Sequence, residues 1–589
     1  MEDNKEKQLS LIGNLWEVAE VNERFVDLLV QRYGIDYVIA RILALRGVDD
    51  ALNFLNPKLM NLMPDPNVLK DMDKAAKRIS KAIVNNERIA IIGDYDVDGA
   101  TSTSVMKLFL RALGKNVLVH IPQRDEGYGP SVKAVGDFKQ QGVDLLLTLD
   151  CGTTAFEPLD YATSLGMDVV VIDHHETEIK LPNVYAVVNP KRIDEENDYP
   201  YLRYLAACGV VFMVVAAVNR ELRNQGFYKG NIAEPDLRKW LDLVALGTVC
   251  DVVPLLGLNR AYVAQGIKIM AQRENIGLTA LIDKAGLDQA PAPYHLGFVL
   301  GPRINAGGRV GDPDIGNQLL CCQNMAQAEI LADKLNEFNN MRKDIESSVL
   351  LSAIEQLEGA PQKYPLAFVY GDDWHQGVIG IVAGKLKERY NLPAFVMSIE
   401  ADEVKGSARS VPEIDLGALV IAAKEKGLLT KGGGHILAAG FSLKRENIEK
   451  FREFVGEYIV AKLGNNNIAS VKKIDAVLDL GAANVDLADN LEQLEPFGNA
   501  NPEPVLMFRG VRIVKASAMG IGHVRCILTS DNGASVKAVA FRVGDNQIGQ
   551  AMLSGSSVKY DVCGVLRRDR WQGKSGMVQF IIDDIRETA

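Results

Sequence analysis

The feature that most restricts the fold of this chain is an alternation of short apolar runs and helical segments between residues 70 and 260. Each run is rich in β-branched residues, and apolar residues at helical spacing follow most of the runs. This rhythm predicts βαβ units and therefore an α/β fold with a doubly wound parallel sheet. The predicted strands are Ile89–Ile92, Val117–Ile121, Asp144–Leu149, Asp168–Ile172 and Tyr185–Val188.

Carboxylates and imidazoles follow these apolar runs, at the strand ends where such sheets bind their ligands. A further apolar segment, 241–249, ends in the same way, and we expect all these side chains at one edge of the sheet. They are Asp94, Asp96, Asp98, Asp150, Asp173, His174, His175 and Asp251. Any one of them could be an ordinary turn residue or a helix cap. Four such endings in one domain favour convergence on a metal centre.

The chemistry of this set points to two ions. Carboxylates placed close together repel one another unless a cation neutralises them, and hard divalent cations prefer carboxylate oxygens. The set is too large for one tetrahedral zinc, but it suits two octahedral Mn²⁺ or Mg²⁺ ions that share a bridging carboxylate. Asp150, alone on its strand, is the candidate bridge. The residues therefore predict a two-metal hydrolase of phosphoesters or phosphoanhydrides.

Composition sets wider limits. With 589 residues the chain is too long for a single core, so several domains are expected. The net charge of −11 provides no global basic field, which weakens a nucleic-acid hypothesis but leaves local basic patches open. The seven cysteines are scattered without a CxxC pair, and no secretory signal follows the first residues. We therefore expect a cytoplasmic protein with reduced thiols that does not act at a membrane.

Four motifs resemble those of the DHH phosphoesterase superfamily: 94–99 (DYDVDG), 148–152 (TLDCG), 173–175 (DHH) and 247–251 (GTVCD). The resemblance implies two divalent cations, Mn²⁺ or Mg²⁺, and a catalytic set in which His175 contacts the scissile phosphate. Many members have a histidine where this chain has Ile92, so Asp94 is a further candidate ligand. The implied metal ligands are Asp96, Asp98, Asp150, His174 and Asp251, and with His175 they form the implied catalytic set.

Phosphate-binding features outside these motifs supply candidate substrate contacts. Arg124 follows the second strand, and Arg303 and Arg309 flank a glycine-rich segment that is predicted to be a turn. Guanidinium groups suit phosphate because they donate two parallel hydrogen bonds. A second α/β unit at 364–460 resembles the DHHA1 domain, and its triple glycine, 432–434, is predicted to be a loop. The resemblance makes Ser407, Arg409, Gly433, Gly434 and His435 candidate nucleotide contacts.

The two ends of the chain carry further predictions. A helical pattern that begins at Asn14 predicts an N-terminal packing cap, and a linker is predicted at 462–473. Short strand-like runs between 505 and 582 predict a small OB-like β-barrel. Cations interleaved with an aromatic ring suit single-stranded nucleic acid. The residues of this patch are Lys559, Arg567, Arg568, Arg570, Trp571 and Lys574.

The predicted order is an N-terminal helical cap (1–70), a DHH catalytic domain (71–322), a long connecting helix (323–360), a DHHA1 domain (361–462) and an OB-fold domain (470–589). This order is similar to that of bacterial RecJ exonucleases. The resemblance implies hydrolysis of single-stranded DNA in the 5′→3′ direction to mononucleotides, in repair and recombination. It further suggests a single-strand-binding protein and a helicase as partners, and a monomer.

The sequence leaves two alternatives open. One is a phosphodiesterase of the same superfamily that acts on oligoribonucleotides or cyclic dinucleotides, against which the predicted barrel argues. The other is a non-catalytic DHH-like scaffold in a DNA-processing assembly. A degenerate scaffold would lose ligands, whereas this chain keeps nearly all of them.

Overall fold

The computed structural model describes residues 9–124, 126–230, 232–359, 361–463, 470–544, 546–554, 558–569 and 577–588. The chain divides into two compact units. The first comprises Met1–Pro302, Asp314–Ala332 and Val471–Ala589, and the second comprises Arg303–Pro313 and Asp333–Ser470. Among the described residues, no helix combines the length and the apolar character that crossing a membrane requires.

The first element of the described residues is a strand rather than the helix predicted at Asn14. Leu15–Val18 pairs in parallel with Val471–Ile474, and the Trp16 indole donates a hydrogen bond of 2.9 Å to Asp584. The helical prediction was wrong here because a distant partner strand decides the backbone, and local spacing does not report such a partner. The first elements are β1 (Leu15–Val18), α1 (Glu23–Tyr33), α2 (Tyr37–Leu45), α3 (Ala51–Leu55) and α4 (Leu59–Leu62).

The predicted parallel sheet is confirmed. Its five strands lie in the order β3-β2-β4-β5-β6, and every pairing is parallel. Strands β2 and β4 are buried along their whole length, which explains why they read as continuous apolar runs. The elements are α5 (Met72–Val84), β2 (Ile89–Gly93), α6 (Val97–Ala112), β3 (Leu118–His120), α7 (Val132–Gln140), β4 (Leu145–Leu149), α8 (Phe156–Ser164), β5 (Asp168–Ile172) and β6 (Ala186–Val188).

Helices follow the sheet, and one of them corrects the prediction for 241–249. That segment is not a further strand-like run at the sheet edge but a helix, almost entirely buried, whose C-terminal end presents Asp251. The glycine-rich segment with Arg303 and Arg309 is also helical, not a turn. The elements are α9 (Ala207–Asn224), α10 (Leu241–Cys250), α11 (Gly257–Met270), α12 (Ile276–Lys284), α13 (Pro293–His295), a π-helical turn (Leu296–Leu300), α14 (Gly301–Val310), α15 (Asp314–Leu320) and the predicted long helix α16 (Met325–Glu358).

The second unit contains a five-stranded mixed sheet in the order β10-β11-β9-β8-β7, where only β7 and β8 are parallel. Phe395, Phe441 and Phe451 meet in its core. The triple glycine is not a loop: it lies inside strand β10. The elements are β7 (Ala367–Asp372), α17 (Gln376–Tyr390), β8 (Ala394–Glu400), β9 (Glu403–Arg409), α18 (Leu416–Glu425), β10 (Lys431–His435), β11 (Ala438–Lys444) and α19 (Ile448–Leu463).

The C-terminal strands form the predicted barrel. Five of them close into a ring in the order β14-β15-β16-β18-β17, because β17 also pairs with β14. Residues 464–469 of the predicted linker lie outside the described residues, and its end, Val471–Lys473, is strand. The elements are β12 (Val471–Ile474), β13 (Ala476–Leu478), α20 (Val485–Glu492), β14 (Leu506–Met519), β15 (His523–Thr529), β16 (Ser535–Ala540), α21 (Gln547–Leu553), β17 (Tyr560–Arg568) and β18 (Val578–Glu587).

One buried side chain, Arg260 on α11, joins three distant parts of the first unit. It is 1% exposed, and its guanidinium lies 3.9 Å from the ring centroid of Phe54. It donates hydrogen bonds to the carbonyl oxygens of Phe54, Leu494, Glu495 and Pro496. Because a buried carbonyl without a donor costs free energy, this arginine stabilises the fold through several carbonyls at once.

We predict that Arg260→Met lowers the free energy of unfolding by about 3 kcal/mol or more, because several buried carbonyls lose their donor at once. Urea denaturation followed by circular dichroism measures the change. Arg203→Met removes an exposed arginine and is the matched control. Equal midpoints for the two variants would contradict the role of Arg260.

Candidate metal centre

The parallel register places three aspartates side by side. Gly93, Leu149 and Ile172 are the last residues of β2, β4 and β5, and they pair with one another across the sheet. The next residue of each strand is an aspartate: Asp94, Asp150 and Asp173. The sequence prediction that these carboxylates meet at one edge of the sheet agrees with this register.

Helix ends bring further carboxylates to the same edge. Asp96 caps the N-terminus of α6 and accepts a hydrogen bond of 3.0 Å from the Gly99 amide. Asp98, one residue into the helix, accepts bonds of 2.6 and 2.9 Å from the amides of Ala207 and Cys208, which begin α9. A helix N-terminus stabilises a carboxylate, so Asp98 is held by the first turn of α9 in addition to its own helix.

The last position of the DYDVDG motif must be glycine for a steric reason. A Cβ atom on Gly99 would lie 2.4 Å from the carbonyl oxygen of Asp94. Only glycine permits this approach between the first turn of α6 and the end of β2. The motif therefore fixes the distance between Asp94 and the two aspartates that follow it.

His174 lies among these carboxylates. Its Nδ1 is 3.0 Å from the Leu205 carbonyl oxygen, which can only accept, so Nδ1 carries the proton and Nε2 is free to bind a cation. Nε2 lies 3.3 Å from an Asp150 oxygen and 3.9 Å from an Asp98 oxygen. Asp251 lies at the C-terminal end of α10, and its Oδ2 is 3.6 Å from His174 Nδ1.

The donor atoms fall into overlapping sets of three whose members all lie within 4.8 Å of one another. The described sets are Asp98, His174 and Asp251; Asp94, Asp96 and Asp150; and Asp150, His174 and His175. One oxygen each of Asp94 and Asp150 is buried and has no hydrogen-bond partner. Buried polar atoms without partners are uncommon and require an explanation. A bound cation would supply one, so the residues fit divalent metal ions.

The electrostatics of the set agree with that fit. Burial and the Asp96 carboxylate raise the pKa of Asp94 to about 7, and burial and Asp98 raise the pKa of Asp251 to about 8. For the same two reasons, burial and neighbouring carboxylates, the pKa of Asp96 is raised and that of Asp150 lies well above its usual range. The protein thus concentrates negative charge where water cannot screen it, which costs folding free energy unless a cation binds.

Asp173 differs from its neighbours. Burial acts to raise its pKa, but hydrogen bonds from His175 and Thr153 outweigh burial and hold the pKa of Asp173 well below its usual range. Its Oδ1 lies 2.7 Å from His175 Nδ1 and accepts from the His174 and His175 amides, and its Oδ2 accepts from the Thr153 amide. Asp173 therefore orients the His175 ring and holds the backbone of both histidines, a function that the sequence prediction of site residues did not assign.

Two tyrosines that the sequence did not single out lie near this site: Tyr128 contacts His175, and Tyr95 contacts Tyr128. The Tyr128 hydroxyl donates a bond of 2.8 Å to the Asp150 carbonyl and lies 3.2 Å from His175 Nε2. Asp150 has a φ of 61°, which is uncommon for a residue with a side chain, and the Tyr128 bond supports that backbone. The Tyr95 ring packs edge-on against Tyr128, and the predicted contact Arg124 stacks over Tyr95 at 4.3 Å. The structure thus brings Arg124 beside the metal centre. The two tyrosines could not be predicted as site residues because no charge or spacing pattern in the sequence marks them.

The candidates of the second unit share one face of its sheet. Arg409, Ala438 and His435 pair across three neighbouring strands, and Ser407, Gly440 and Gly433 form the next row of the same face. A Cβ on Gly433 or on Gly440 would meet nothing within 4 Å, so backbone is accessible there. Ser407, Arg409, Gly433 and His435 therefore form a polar strip on which the glycine backbone is not covered by side chains. Gly434 points to the other face, where a Cβ would lie 2.4 Å from the Ala438 carbonyl oxygen.

The remaining candidates have local partners. Arg303 donates a bond of 3.1 Å to Asn336, and Arg309 donates one of 2.9 Å to the Gly377 carbonyl. In the barrel, Lys559, Arg567 and Arg568 form ion pairs with Asp531, Glu503 and Asp489 in that order. Arg570, Trp571 and Lys574 of the predicted single-strand surface lie outside the described residues.

Comparison with known proteins identifies three segments of the chain. The DHH family, N-terminal domain, matches residues 88–248, the DHHA1 domain matches 362–461, and the RecJ OB domain matches 474–584. The single-stranded-DNA-specific exonuclease RecJ of Salmonella typhimurium is 34% identical over 93% of this chain and 95% of its own. The protein of the same name from Bacillus subtilis is 33% identical over 95% of this chain and 69% of its own.

A solved structure extends the similarity to the fold. RecJ of Thermus thermophilus in complex with Mn²⁺ superimposes with a TM-score of 0.82 at 26% identity, over 98% of this chain and 80% of that one. Its complex with Mg²⁺ gives a TM-score of 0.74. The domains, their order and the similarity across nearly the whole length lead to one conclusion: this chain belongs to the RecJ family.

Proposed function

We propose that this protein is an exonuclease that requires divalent metal ions and degrades single-stranded DNA from the 5′ end to mononucleotides, in repair and recombination. The observation that carries the proposal is the buried cluster of carboxylates around His174, in which two sets of three ligands lie side by side. The substrate class comes from the named activity of its relatives. The 5′→3′ direction and the mononucleotide product come from the family resemblance of the sequence motifs.

The residues that would hold the ions follow from the sets. Asp98, His174 and Asp251 would hold one ion, and Asp94, Asp96 and Asp150 would hold the other. Because Asp150 also lies within reach of His174, it would be the bridge between them. Ile92 is fully buried and offers no ligand atom, so in this proposal Asp94 binds in place of the histidine that many members of the DHH superfamily have there. When bound, such ions activate a water molecule and neutralise the charge that develops on a phosphoryl group.

The protein's own groups would position the phosphate. The side chain of His175 is 47% exposed, and although burial acts to lower its pKa, the bond to Asp173 raises it above its ordinary value. A protonated His175 would donate to the scissile phosphate, with Asp173 fixing its ring. Arg124, stacked on Tyr95, would present its guanidinium to the terminal phosphate.

The second unit and the barrel would bind the strand. The strip of Ser407, Arg409, Gly433 and His435 offers polar groups beside bare backbone, which suits a sugar–phosphate chain. Arg303 and Arg309 remain predicted substrate contacts, and we attribute Gly434 to the steric demand on the opposite face. The domain boundaries, the cytoplasmic location, the monomeric state and the partners, a single-strand-binding protein and a helicase, remain predictions.

A degradation assay with strands labelled at either end tests the proposal. With Mn²⁺ or Mg²⁺, a 5′-labelled single strand should release labelled mononucleotide at once, whereas a 3′-labelled strand should shorten progressively. A duplex of the same sequence should be resistant. A strong preference for dinucleotides or cyclic dinucleotides would favour the alternative phosphodiesterase, and no release with either metal would favour a scaffold.

We predict opposite effects of Asp150→Asn on stability and on activity. Asparagine tolerates the positive φ and is neutral in the folded state without having to bind a proton. The metal-free variant should therefore be more stable than the wild type by roughly 1–2 kcal/mol and melt a few degrees higher. The stabilisation by added Mn²⁺ should shrink, and activity should fall roughly a hundredfold or more, as for the loss of a group that stabilises developing charge. Thermal melts with and without Mn²⁺ measure the first two effects.

The pH dependence of this gain has a definite sign. Since the pKa of Asp150 is raised in the folded state, folded protein holds its proton more tightly than unfolded protein, and stability falls as pH rises above the ordinary aspartate value. The advantage of Asp150→Asn should therefore be larger at about pH 8 than at about pH 5. Asp160→Asn, an exposed position, is the matched control. A metal-free variant less stable than the wild type at both pH values would count against charge repulsion at this edge.

We also predict that Gly433→Val raises the KM for single-stranded DNA about tenfold, because a side chain would stand on the open strip where the strand's backbone is proposed to lie. The fold should be preserved, since nothing lies within 4 Å of the added Cβ. Gly384→Ala, another position with nothing within 4 Å, serves as control. Unchanged kinetics for Gly433→Val would argue against substrate contact at this strip.

A further inference from the structure

A pocket of about 720 Å³ within the first unit borders the metal centre but contains none of the proposed ligands. Its lining includes Cys250 and Val252, the two neighbours of Asp251 in the chain. It also includes Tyr294, Phe298 and, from barrel strand β17, Leu566. The pocket therefore connects the edge of the metal centre with the barrel.

Two aromatic rings in this pocket are unusually exposed. Tyr294 is 64% exposed and Phe298 is 72% exposed. The rings are stacked, with centroids 5.2 Å apart and planes inclined by 27°. Adjacent exposed rings in a concave surface mark a site for a ligand or partner rather than ordinary surface.

The segment that carries the rings packs against the end of α10. Phe298 is part of the π-helical turn Leu296–Leu300, and the Cys250 thiol donates a bond of 3.4 Å to the Leu296 carbonyl. A Cβ on Gly301 would lie 2.4 Å from Cys250 Sγ, so the turn packs closely against the residue next to Asp251. The position of the aromatic pair relative to the metal centre is therefore fixed by direct contacts.

The charges of the pocket select which part of a nucleotide could face it. Three carboxylates line it, those of Glu492, Glu495 and Glu503. Its two arginines, Arg567 and Arg568, are engaged with Glu503 and Asp489. Among the described residues, the wall thus has no surplus of positive charge for phosphates, while its rings and apolar side chains suit unpaired bases.

We propose that Tyr294 and Phe298 form a stacking step for bases of the single strand between the metal centre and the barrel, with the phosphates turned towards solvent. This inference rests on the proposed exonuclease function and names a determinant of its specificity. Bases in a duplex are paired and cannot stack on the rings, and in this inference a very short strand held at the metal centre ends before it reaches them. The aromatic pair would therefore favour long single strands.

Steady-state kinetics on oligodeoxythymidylate test the inference. For a strand of about 20 nucleotides, Phe298→Ala should raise KM about tenfold, the usual effect of losing one stacked base, and leave kcat unchanged. For a strand of about three nucleotides KM should stay the same, since such a strand ends before the rings. The salt dependence of KM should also be unchanged, because no phosphate contact is lost.

Three variants and a fluorescent base make the test specific. Phe298→Trp should retain the wild-type KM, whereas Phe298→Leu, which is apolar but cannot stack, should behave as Phe298→Ala. Tyr185→Ala, at a half-exposed tyrosine just before β6 and so at the opposite edge of the sheet, should have no effect. A 2-aminopurine in the strand should be quenched in the wild type at the position on the rings, and Phe298→Ala should relieve that quenching.

Two results would overturn the inference while leaving the exonuclease function intact: unchanged KM and quenching in Phe298→Ala, or a wild-type KM in Phe298→Leu. The second would indicate an apolar docking site for a peptide instead of stacking. If the wild type degraded no strand at all, the proposed function itself would fail.

Discussion

Repulsion among buried carboxylates at the end of the parallel sheet is the interaction on which the rest of the first unit depends. Three strand ends and two helix ends point acids at one small volume, where burial and mutual repulsion raise the pKa of Asp94 to about 7 and of Asp251 to about 8. Such an arrangement lowers stability without a cation, so the surrounding structure must hold it in place. The first turn of α9 bonded to Asp98 and Tyr128 bonded to Asp150 are two such supports.

The hydrogen bonds around the site also distinguish the roles of residues that look alike in the sequence. Asp94, Asp150 and Asp173 all follow buried strands, but Asp173 is saturated with hydrogen bonds whereas Asp94 and Asp150 each keep a buried oxygen without one. The two histidines differ in the same manner. The His174 side chain is buried, and its Nδ1 donates a hydrogen bond to a backbone carbonyl. His175 is hydrogen-bonded to Asp173 and is half exposed. The buried carboxylates of Asp94 and Asp150 therefore suit a cation, and the half-exposed side chain of His175 suits a phosphate.

Much of this could be predicted from the sequence, and the failures have common causes. The strand ends were predictable because buried parallel strands read as apolar runs and because a parallel register aligns their last residues. The helix that carries Asp251 was missed because a helix buried on all sides shows no amphipathic period. The sequence predicts a loop at the triple glycine, but pairing with β11 decides its conformation. Tyr128 and Phe298 carry no charge or spacing signal, and only the folded chain shows their surroundings.

The proposed site holds two divalent ions that share Asp150 at this edge of the sheet. Anomalous diffraction from a crystal grown with Mn²⁺ would locate both ions. Two anomalous peaks about 3.5–4 Å apart are expected, with a carboxylate oxygen of Asp150 in contact with both. A single peak, or two peaks of which Asp150 contacts at most one, would rule out the shared site.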